Sequence, residues 1–96
     1  MKLYWTYILT SRKNGTLYTG VTGDLSRRMV QHRDGKGGQF TSTHSVKRLV
    51  WCEEFNNVLD AITREKQIKA WRRLWKINLI NESNPDWNDL IDSFLH

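Results

Sequence analysis

The sequence predicts a mixed α and β (α+β) domain, in which a small, mainly antiparallel three-stranded sheet is flanked by helices in the order β-β-α-β-α-α-α. Segments rich in Tyr, Trp, Thr, Ile and Val precede segments of helical periodicity that begin with polar capping residues. The 96 residues contain no repeat, low-complexity tract or linker. We therefore expect one domain over residues 1–96.

The first two strands form a predicted β-hairpin. Residues 4–10 and 16–22 have the composition of strands. Between them, Asn14-Gly15 supplies residues that tolerate the positive φ angles of a tight turn.

Tyr7 and Tyr18 lie on opposite strands of this hairpin. Opposed residues of an antiparallel pair have numbers with a constant sum, which is odd for a loop of even length, so the two tyrosines share a face. A loop at residues 11–14 would place them directly opposite, whereas a loop centred on Asn14-Gly15 would separate them by roughly 13 Å. Gly20 lies on the same face and leaves room for a close approach to the backbone. The alternative is that both tyrosines are ordinary strand residues.

The elements after the hairpin follow from capping signals and composition. Asp24 is placed to cap a first helix through about Arg33. The glycine-rich segment 34–45 is predicted to be a loop, and a third strand is predicted at about 47–55.

The C-terminal half is predicted to be helical. Asn56-Asn57 can cap a long helix from Val58 to about Arg73, and residues 76–81 form a second, short piece. Asn84-Pro85 places a capping residue before proline, which predicts a last helix through about Phe94.

Positive charge is concentrated in the first part of the chain. The formal net charge is +5, but all 15 Lys and Arg lie within residues 1–76 with only six of the ten Asp and Glu, which gives this part +9. Such segregation favours a polyanionic partner, most often nucleic acid, over the alternative of a solvated basic surface.

Cys52 is the single cysteine, which excludes an internal disulfide and a cysteine-rich zinc site and fits the cytoplasm. No run of residues is long and apolar enough to predict a membrane span.

Three residues outside the hairpin are candidates for chemistry. Arg28 and His32 lie four residues apart, on one face of the first helix, where they could bind a phosphate or simply face solvent. Glu65 interrupts the apolar stripe of the long helix, where a carboxylate must be paired or must bind a metal. An internal Glu–Arg pair is one interpretation and a hard divalent ion is the other.

The long helix also carries cations that could neutralise phosphates, with two tryptophans among them that we expect in the core. The cations are Arg64, Lys66, Lys69, Arg72, Arg73 and Lys76, and the tryptophans are Trp71 and Trp75.

These residues together resemble the GIY-YIG nuclease superfamily. The resemblance covers essentially the whole chain and is closest to the small single-domain members with the pattern YIL…LYTGVT…DLSRRMVQH…REKQIKAW…K…LI…NPDW…L. It implies hydrolysis of DNA phosphodiester bonds with one Mg²⁺ (or Mn²⁺) ion held by the helix glutamate, here Glu65.

The resemblance also implies roles for the other residues. Tyr7 and Tyr18 match the paired tyrosines, one of which is proposed to act as general base or to orient the water. Arg28 matches the arginine that steadies the scissile phosphate and His32 a frequent active-site histidine, while Asn78 matches an asparagine that lines the site. Gly20, Lys69, Arg72 and Arg73 are then the candidates for substrate binding.

The chain departs from the family pattern at three places. Trp5-Thr6-Tyr7 stands in place of Gly-Ile-Tyr, and Tyr18-Thr19-Gly20 in place of Tyr-Ile-Gly, although both tyrosines are kept. Phe40-Thr41 stands where close relatives often carry a further tyrosine, so any role of that hydroxyl is lost or moves to His44.

We therefore expect a cytoplasmic, metal-dependent DNA endonuclease of low sequence specificity, because appended DNA-binding domains set the target of larger members. The alternative is a nucleic-acid-binding module on the same fold with little or no cleavage. The sequence does not distinguish DNA from RNA, and it leaves open a protein partner for targeting.

Overall fold

A computed structural model of the protein describes residues 2–36, 38, 40–41 and 44–93. Its elements in chain order are β1 (Tyr4–Thr10), β2 (Leu17–Thr22), α1 (Leu25–Arg33), β3 (Arg48–Phe55), α2 (Val58–Ala70), α3 (Arg73–Ser83) and a 3-10 helix (Leu90–Ser93). The strands form one antiparallel sheet in the order β2-β1-β3. The predicted α+β class and the three-stranded antiparallel sheet are confirmed.

The sheet is buried on both faces. Successive side chains of a strand point to opposite sides, so β1 contributes to two separate cores. Tyr7 and Leu9 pack with α1 on one face, whereas Ile8 packs with α2 and α3 on the other. The second core also contains Val50, Trp51, Ile68, Ile80 and Trp87.

The hairpin has a register that neither predicted loop gives. Tyr7 pairs with Gly20 and Leu9 with Tyr18, so the connecting loop consists of residues 11–16. The two tyrosines share a face, as predicted, but they are diagonal neighbours with ring centroids 6.4 Å apart.

The wider loop has its own closing contacts. The Ser11 amide donates to the Thr16 carbonyl at 3.2 Å, and the Thr16 amide donates to Ser11 Oγ at 3.1 Å. Asn14 takes a positive φ of 59°, whereas Gly15 is not among the residues with positive φ. The side chain of Ser11 therefore moves the turn away from the position that Asn14-Gly15 alone predicts.

The long helix ends earlier than predicted. α2 stops at Ala70 rather than about Arg73, because Trp71 and Arg72 are extended, with ψ of 153° and 150°. A new helix, α3, starts at Arg73 and is longer than the predicted piece at 76–81. The break resets the helical phase, so Trp75 is 53% exposed instead of lying in the core as predicted, while Trp71 is partly buried against it.

The predicted last helix is wrong over residues 85–89, which contain no helix. Asn84 does not cap a helix there: its side-chain amide donates to the carbonyls of Val50 and Asn88, and its oxygen accepts from the Asn88 amide. The buried Trp87 has a φ of 54°, which a helix does not allow. Regular structure resumes only in the 3-10 helix Leu90–Ser93.

Two further predictions fall partly outside the described residues. Phe94, the predicted end of the last helix, lies outside them, as do positions 37, 39, 42 and 43 of the predicted loop 34–45. Within that segment Phe40 and Thr41 are helical, and the His44 amide donates to the Phe40 carbonyl.

Among the helices in the described part of the chain, none has the length and apolar character that crossing a membrane requires.

Candidate active site

The candidate site is built around a contact between Tyr7 and His32. Tyr7 lies in the central strand and is 1% exposed, and its hydroxyl oxygen lies 3.0 Å from His32 Nε2. Asp24 caps α1 as predicted, because its carboxylate accepts from the Arg27 amide at 3.1 Å. From that start, helical spacing turns Leu25, Met29 and His32 inward, and His32 reaches the tyrosine.

The hydrogen bonds of the site form a directed chain. The Thr41 hydroxyl donates to the Gly38 carbonyl at 3.1 Å and accepts from His32 Nδ1–H at 3.2 Å. Because Nδ1 carries the proton in neutral His32, Nε2 accepts the proton of the Tyr7 hydroxyl. The Tyr7 oxygen in turn accepts from Arg28 Nε at 3.4 Å.

Burial and neighbouring charges determine the protonation states of the hydrogen-bonded residues Tyr7, Arg28 and His32. Burial, and then the positive charge of Arg28, lower the pKa of His32 to about 4. Burial also raises the pKa of Tyr7 to about 12, against the opposing effect of its hydrogen bond from Arg28. That same bond raises the pKa of Arg28, with a smaller contribution from Tyr18. At neutral pH the site therefore holds a phenol, a neutral imidazole and a guanidinium.

Tyr18 and Gly20 complete this side of the sheet. The Tyr18 ring lies 5.7 Å from the His32 ring and is half-buried, so it is more accessible than Tyr7. A Cβ at Gly20 would lie 2.5 Å from the Tyr7 hydroxyl oxygen, which requires a residue without a side chain there. The group that approaches the Gly20 backbone is thus Tyr7 itself, and a role of Gly20 in substrate binding stays a prediction.

Glu65 lies on the buried face of α2, between Ala61 and Ile68, as its place on the apolar stripe predicts. Its side chain is 13% exposed, and Oε2 lies 2.9 Å from Lys69 Nζ. The structure thus pairs Glu65 with a lysine instead of the arginine expected for an internal pair. The negative charge of Glu65 makes a small contribution to the raised pKa of Tyr7, after burial and Tyr18.

Glu65 has the donor chemistry that a hard divalent ion prefers, because carboxylate oxygens are the usual ligands of Mg²⁺. Within the described ranges, no group of three or more His, Cys, Asp or Glu side chains is placed to hold a metal ion. A metal at Glu65 would therefore have at most one further described side chain of these kinds as a ligand, and it would take its remaining ligands from water and substrate. It would also have to displace the ammonium group of Lys69, whose side chain is 51% exposed.

The predicted substrate-binding residues are not all in one place. Lys69 and Arg72 are exposed, but Arg73 Nη2 donates to the carbonyls of Asn14 and Gly15 at 2.8 and 2.6 Å and so holds the hairpin loop. Asn78 is exposed and lines a groove of about 350 Å³. The other residues that line this groove are Arg64, Trp71, Trp75, Leu79 and Glu82.

The groove lies on the side of the sheet opposite Tyr7, because Trp71 and Leu79 pack against the core that contains Ile8. The structure thus does not bring Asn78 to the tyrosine pair. Arg64, which also lines the groove, lies over the rings of Trp51 and Trp71 and pairs with Glu53 at 3.0 Å. Its charge is therefore already engaged within the protein.

Thr41 is a member of the site that the sequence does not predict. The family pattern implies a hydroxyl that is lost at Phe40-Thr41 or moves to His44, but the buried Thr41 hydroxyl contacts His32 directly. His44 instead stacks on Phe40, with ring centroids 4.3 Å apart. Sequence spacing gives no signal for this contact, because a loop rather than a repeat brings Thr41 back to the first helix.

Comparison with known proteins finds one matching family and several similar proteins. Residues 3–78 match the family described as the GIY-YIG catalytic domain. A UPF0213 protein of Staphylococcus saprophyticus is 35% identical over 82 residues, which cover 85% of this chain and 99% of the relative. A UPF0213 protein of Staphylococcus epidermidis is 33% identical with the same coverage. The solution NMR structure of a UPF0213 protein from Bacillus halodurans is 31% identical and has a TM-score of 0.57, with 91% of this chain and 92% of that chain covered.

Proposed function

This chain belongs to the GIY-YIG family, and on that premise we propose that it is a divalent-metal-dependent endonuclease that hydrolyses DNA phosphodiester bonds with low sequence specificity. One observation carries the proposal: Arg28, Tyr7 and His32 form a connected hydrogen-bonded group, with the half-buried Tyr18 beside it. Attack on a phosphodiester requires positive charge where negative charge develops and a positioned donor or acceptor for the attacking water. The group supplies both.

Arg28 provides the positive charge in this proposal. Its guanidinium donates to the Tyr7 hydroxyl and, through Nη1, to Gln31 Oε1 at 3.1 Å. These contacts fix a planar cation before the substrate arrives, and a guanidinium is well suited to a phosphate. We infer that Arg28 binds the scissile phosphate and stabilises its charge during attack.

The two tyrosines take different roles. The pKa of Tyr7 is raised to about 12 and that of His32 is lowered to about 4, so His32 does not take the proton of Tyr7 in the free protein at neutral pH. Tyr7 therefore acts as a positioning hydrogen-bond donor to His32 and acceptor from Arg28. Tyr18 is the more accessible tyrosine, and we assign to it the orientation of the attacking water.

Glu65 would hold the metal ion, which we expect to be Mg²⁺ or Mn²⁺. When bound, such an ion supplies charge at the phosphate and makes a water molecule more acidic. Lys69 neutralises Glu65 until then, and its half-exposed side chain can swing into solvent at little cost.

The Glu65–Lys69 pair also favours one alternative. A carboxylate that is already neutralised binds a divalent ion more weakly, so the chain could act as a nucleic-acid-binding module with little or no cleavage. RNA as the substrate, and a protein partner that selects the target, are compatible with the same site.

The first test compares nicking of supercoiled plasmid and cleavage of branched oligonucleotides with Mg²⁺ or Mn²⁺ and with chelator. We expect Glu65→Gln to bind DNA as the wild type does and to lose metal-dependent cleavage. Because the partner of Glu65 is half exposed, the substitution should change the free energy of unfolding by about 1 kcal/mol or less. Lys69→Gln is the matched control and should keep cleavage.

The outcomes separate the hypotheses. Metal-dependent nicking by Glu65→Gln would exclude Glu65 as the ligand. Wild-type protein that binds DNA but cleaves no substrate with either metal would leave the binding module as the function.

Arg28 can be tested independently of the metal. Arg28→Ala should lower turnover far more than DNA affinity, because other cations hold the backbone while Arg28 contacts the charge that develops during reaction. Single-turnover cleavage and filter binding give the two quantities. Equal losses in both would make Arg28 a docking residue only.

A further inference from the structure

Two exposed aromatic rings stack at the surface of the protein. The rings of Phe40 and His44 have centroids 4.3 Å apart and planes inclined by 24°. Phe40 is 45% exposed, and His44 is also exposed. His44 Nδ1–H donates to the Phe40 carbonyl at 2.9 Å, so the imidazole is held in this orientation by the backbone of its neighbour.

This pair is continuous with the candidate active site. Phe40 stacks on Tyr18 with ring centroids 6.0 Å apart and planes inclined by 30°. Tyr18 lies 5.7 Å from His32. Flat rings therefore extend from the tyrosine site to the protein surface. We call the exposed pair of Phe40 and His44 the aromatic platform.

Exposed cations lie on the helix that carries Arg28 and just after its C-terminal end. Residues 24–36 contain four Lys and Arg against two Asp. Of these cations, Arg27, Arg33 and Lys36 are exposed. Cations that follow a phosphate backbone together with aromatic rings on which bases stack are the combination that binds unpaired nucleotides.

We propose that the aromatic platform stacks one unpaired nucleobase next to the phosphate held by Arg28. In a duplex, each base is covered by its neighbours, so only a bulged, flap or single-stranded nucleotide can offer its face to Phe40 and His44. The preferred substrate is thus a nucleic acid with an unpaired nucleotide at the point of cleavage. This inference rests on the proposed function for its cleavage part, whereas the stacking part concerns binding alone.

The chemistry of the platform favours a base over an apolar protein side chain. A partner protein could cover Phe40, but it would leave the cations of residues 24–36 without a role. A nucleotide uses both, because its base covers the rings while its phosphate meets the cations. Stacking also tolerates any base, which agrees with low sequence specificity.

The test measures binding in chelator, so that no cleavage takes place. The probes are two short DNA duplexes, one fully paired and one with a single bulged 2-aminopurine, an adenine analogue whose fluorescence falls when it stacks. We expect the wild type to quench the bulged probe and to bind it more tightly than the paired duplex. Phe40→Ala and His44→Ala should each lose about 5- to 150-fold in affinity for the bulged probe and keep their affinity for the paired one.

Three variants keep the test interpretable. Phe40→Tyr retains the ring and should bind as the wild type does, and Phe40→Leu retains an apolar side chain without a flat ring and should behave as Phe40→Ala. Trp75→Ala removes an exposed aromatic ring that contacts Trp71 on the other side of the sheet, and it should change neither affinity. Melting temperatures within a few degrees of the wild type show that each variant is folded.

The results distinguish this inference from the proposed function. Equal affinity of the wild type for both probes, or equal losses on both probes in the Phe40 variants, would overturn the aromatic platform. Cleavage of paired and bulged DNA at equal rates with Mg²⁺ would overturn it while leaving the endonuclease intact. Preferential, ring-dependent binding of the bulged probe without cleavage of any substrate would support the platform and refute the nuclease activity.

Discussion

The proton affinity of His32 determines how the site responds to pH. Burial lowers the pKa of His32 to about 4 in the folded protein, against 6.5 for a free imidazole. The unfolded chain therefore binds more protons than the folded one between these values, and stability is lost as pH falls from about 6.5 towards 4. A shift of this size corresponds to about 3 kcal/mol.

We predict that the wild type loses about 3 kcal/mol of unfolding free energy between pH 7 and pH 4 through this group, in addition to the effect of its carboxylates. His32→Gln keeps hydrogen-bonding capacity but does not titrate, so its stability should fall less over the same range. Urea unfolding of both proteins at several pH values measures the difference. Parallel curves for the two proteins would show that His32 is protonated as easily in the folded state as in the unfolded chain.

A second residue prediction concerns Thr41. Its hydroxyl is the acceptor for His32 Nδ1–H, and both residues are buried. Thr41→Val keeps the shape of the side chain but leaves the buried His32 Nδ1–H without an acceptor. This loss should lower the unfolding free energy by about 1–3 kcal/mol and allow the other tautomer of the His32 imidazole to form. Thr41→Ser should retain most of the stability. Nitrogen chemical shifts of His32 report the tautomer, and an unchanged tautomer in Thr41→Val would contradict the directed chain of hydrogen bonds.

At the residue scale, the sequence predicts the aromatic and charged members of the site but not their supports. The grouping of Tyr7, Tyr18, Arg28 and His32 follows from strand parity, helical spacing and the family resemblance. The lysine partner of Glu65 differs from the expected arginine, although Lys69 lies four residues away on the same helix. The contact from Thr41 depends on how an irregular segment folds back, which local patterns do not encode.

At the element scale, predictions succeed where local sequence signals agree with packing. They fail where a contact between residues far apart in the sequence determines the local structure. The sheet, α1 and β3 follow their composition and caps closely. The hairpin register differs because Ser11 bonds across the loop, and residues 85–89 are not helical because Asn84 bonds to Val50 in β3. A capping signal depends only on residues close in the sequence, so it does not predict a hydrogen bond to the carbonyl of Val50, 34 residues away.

We therefore predict that Asn84 stabilises tertiary structure rather than a helix. Its side chain makes three hydrogen bonds to the backbone and is 6% exposed. Asn84→Ala should lower the unfolding free energy by roughly 2–4 kcal/mol, more than the ~1 kcal/mol expected for a lost helix cap. Asn57, which caps α2 at an exposed position, is the matched control, and Asn57→Ala should cost about 1 kcal/mol. Equal costs at both positions would contradict the role assigned to Asn84.

At the scale of the whole molecule, the structure divides the positive charge into cations engaged within the protein and cations that face solvent. Lys69 pairs with Glu65, Arg64 pairs with Glu53, and Arg73 holds the hairpin loop. The sequence predicts the excess of positive charge but not the contacts of Arg64 and Arg73, because their acceptors lie on another element or are backbone carbonyls. The exposed cations of residues 24–36 are thus better placed for phosphates than most of those on α2.

This division predicts how salt should affect DNA binding. Counterion release makes the logarithm of affinity for duplex DNA fall with the logarithm of salt concentration, by roughly 0.9 for each phosphate contact. Replacing the exposed cations Arg27, Arg33 and Lys36 with Gln should reduce this slope by about 2 to 3, because up to three phosphate contacts are lost. Arg73→Gln should leave the slope nearly unchanged and instead lower the melting temperature, since its guanidinium bonds the carbonyls of Asn14 and Gly15. Fluorescence anisotropy between low and physiological salt, with thermal unfolding of the same proteins, gives both quantities. A slope that falls with Arg73→Gln but not with the triple substitution would place the DNA along α2 and α3 and away from α1.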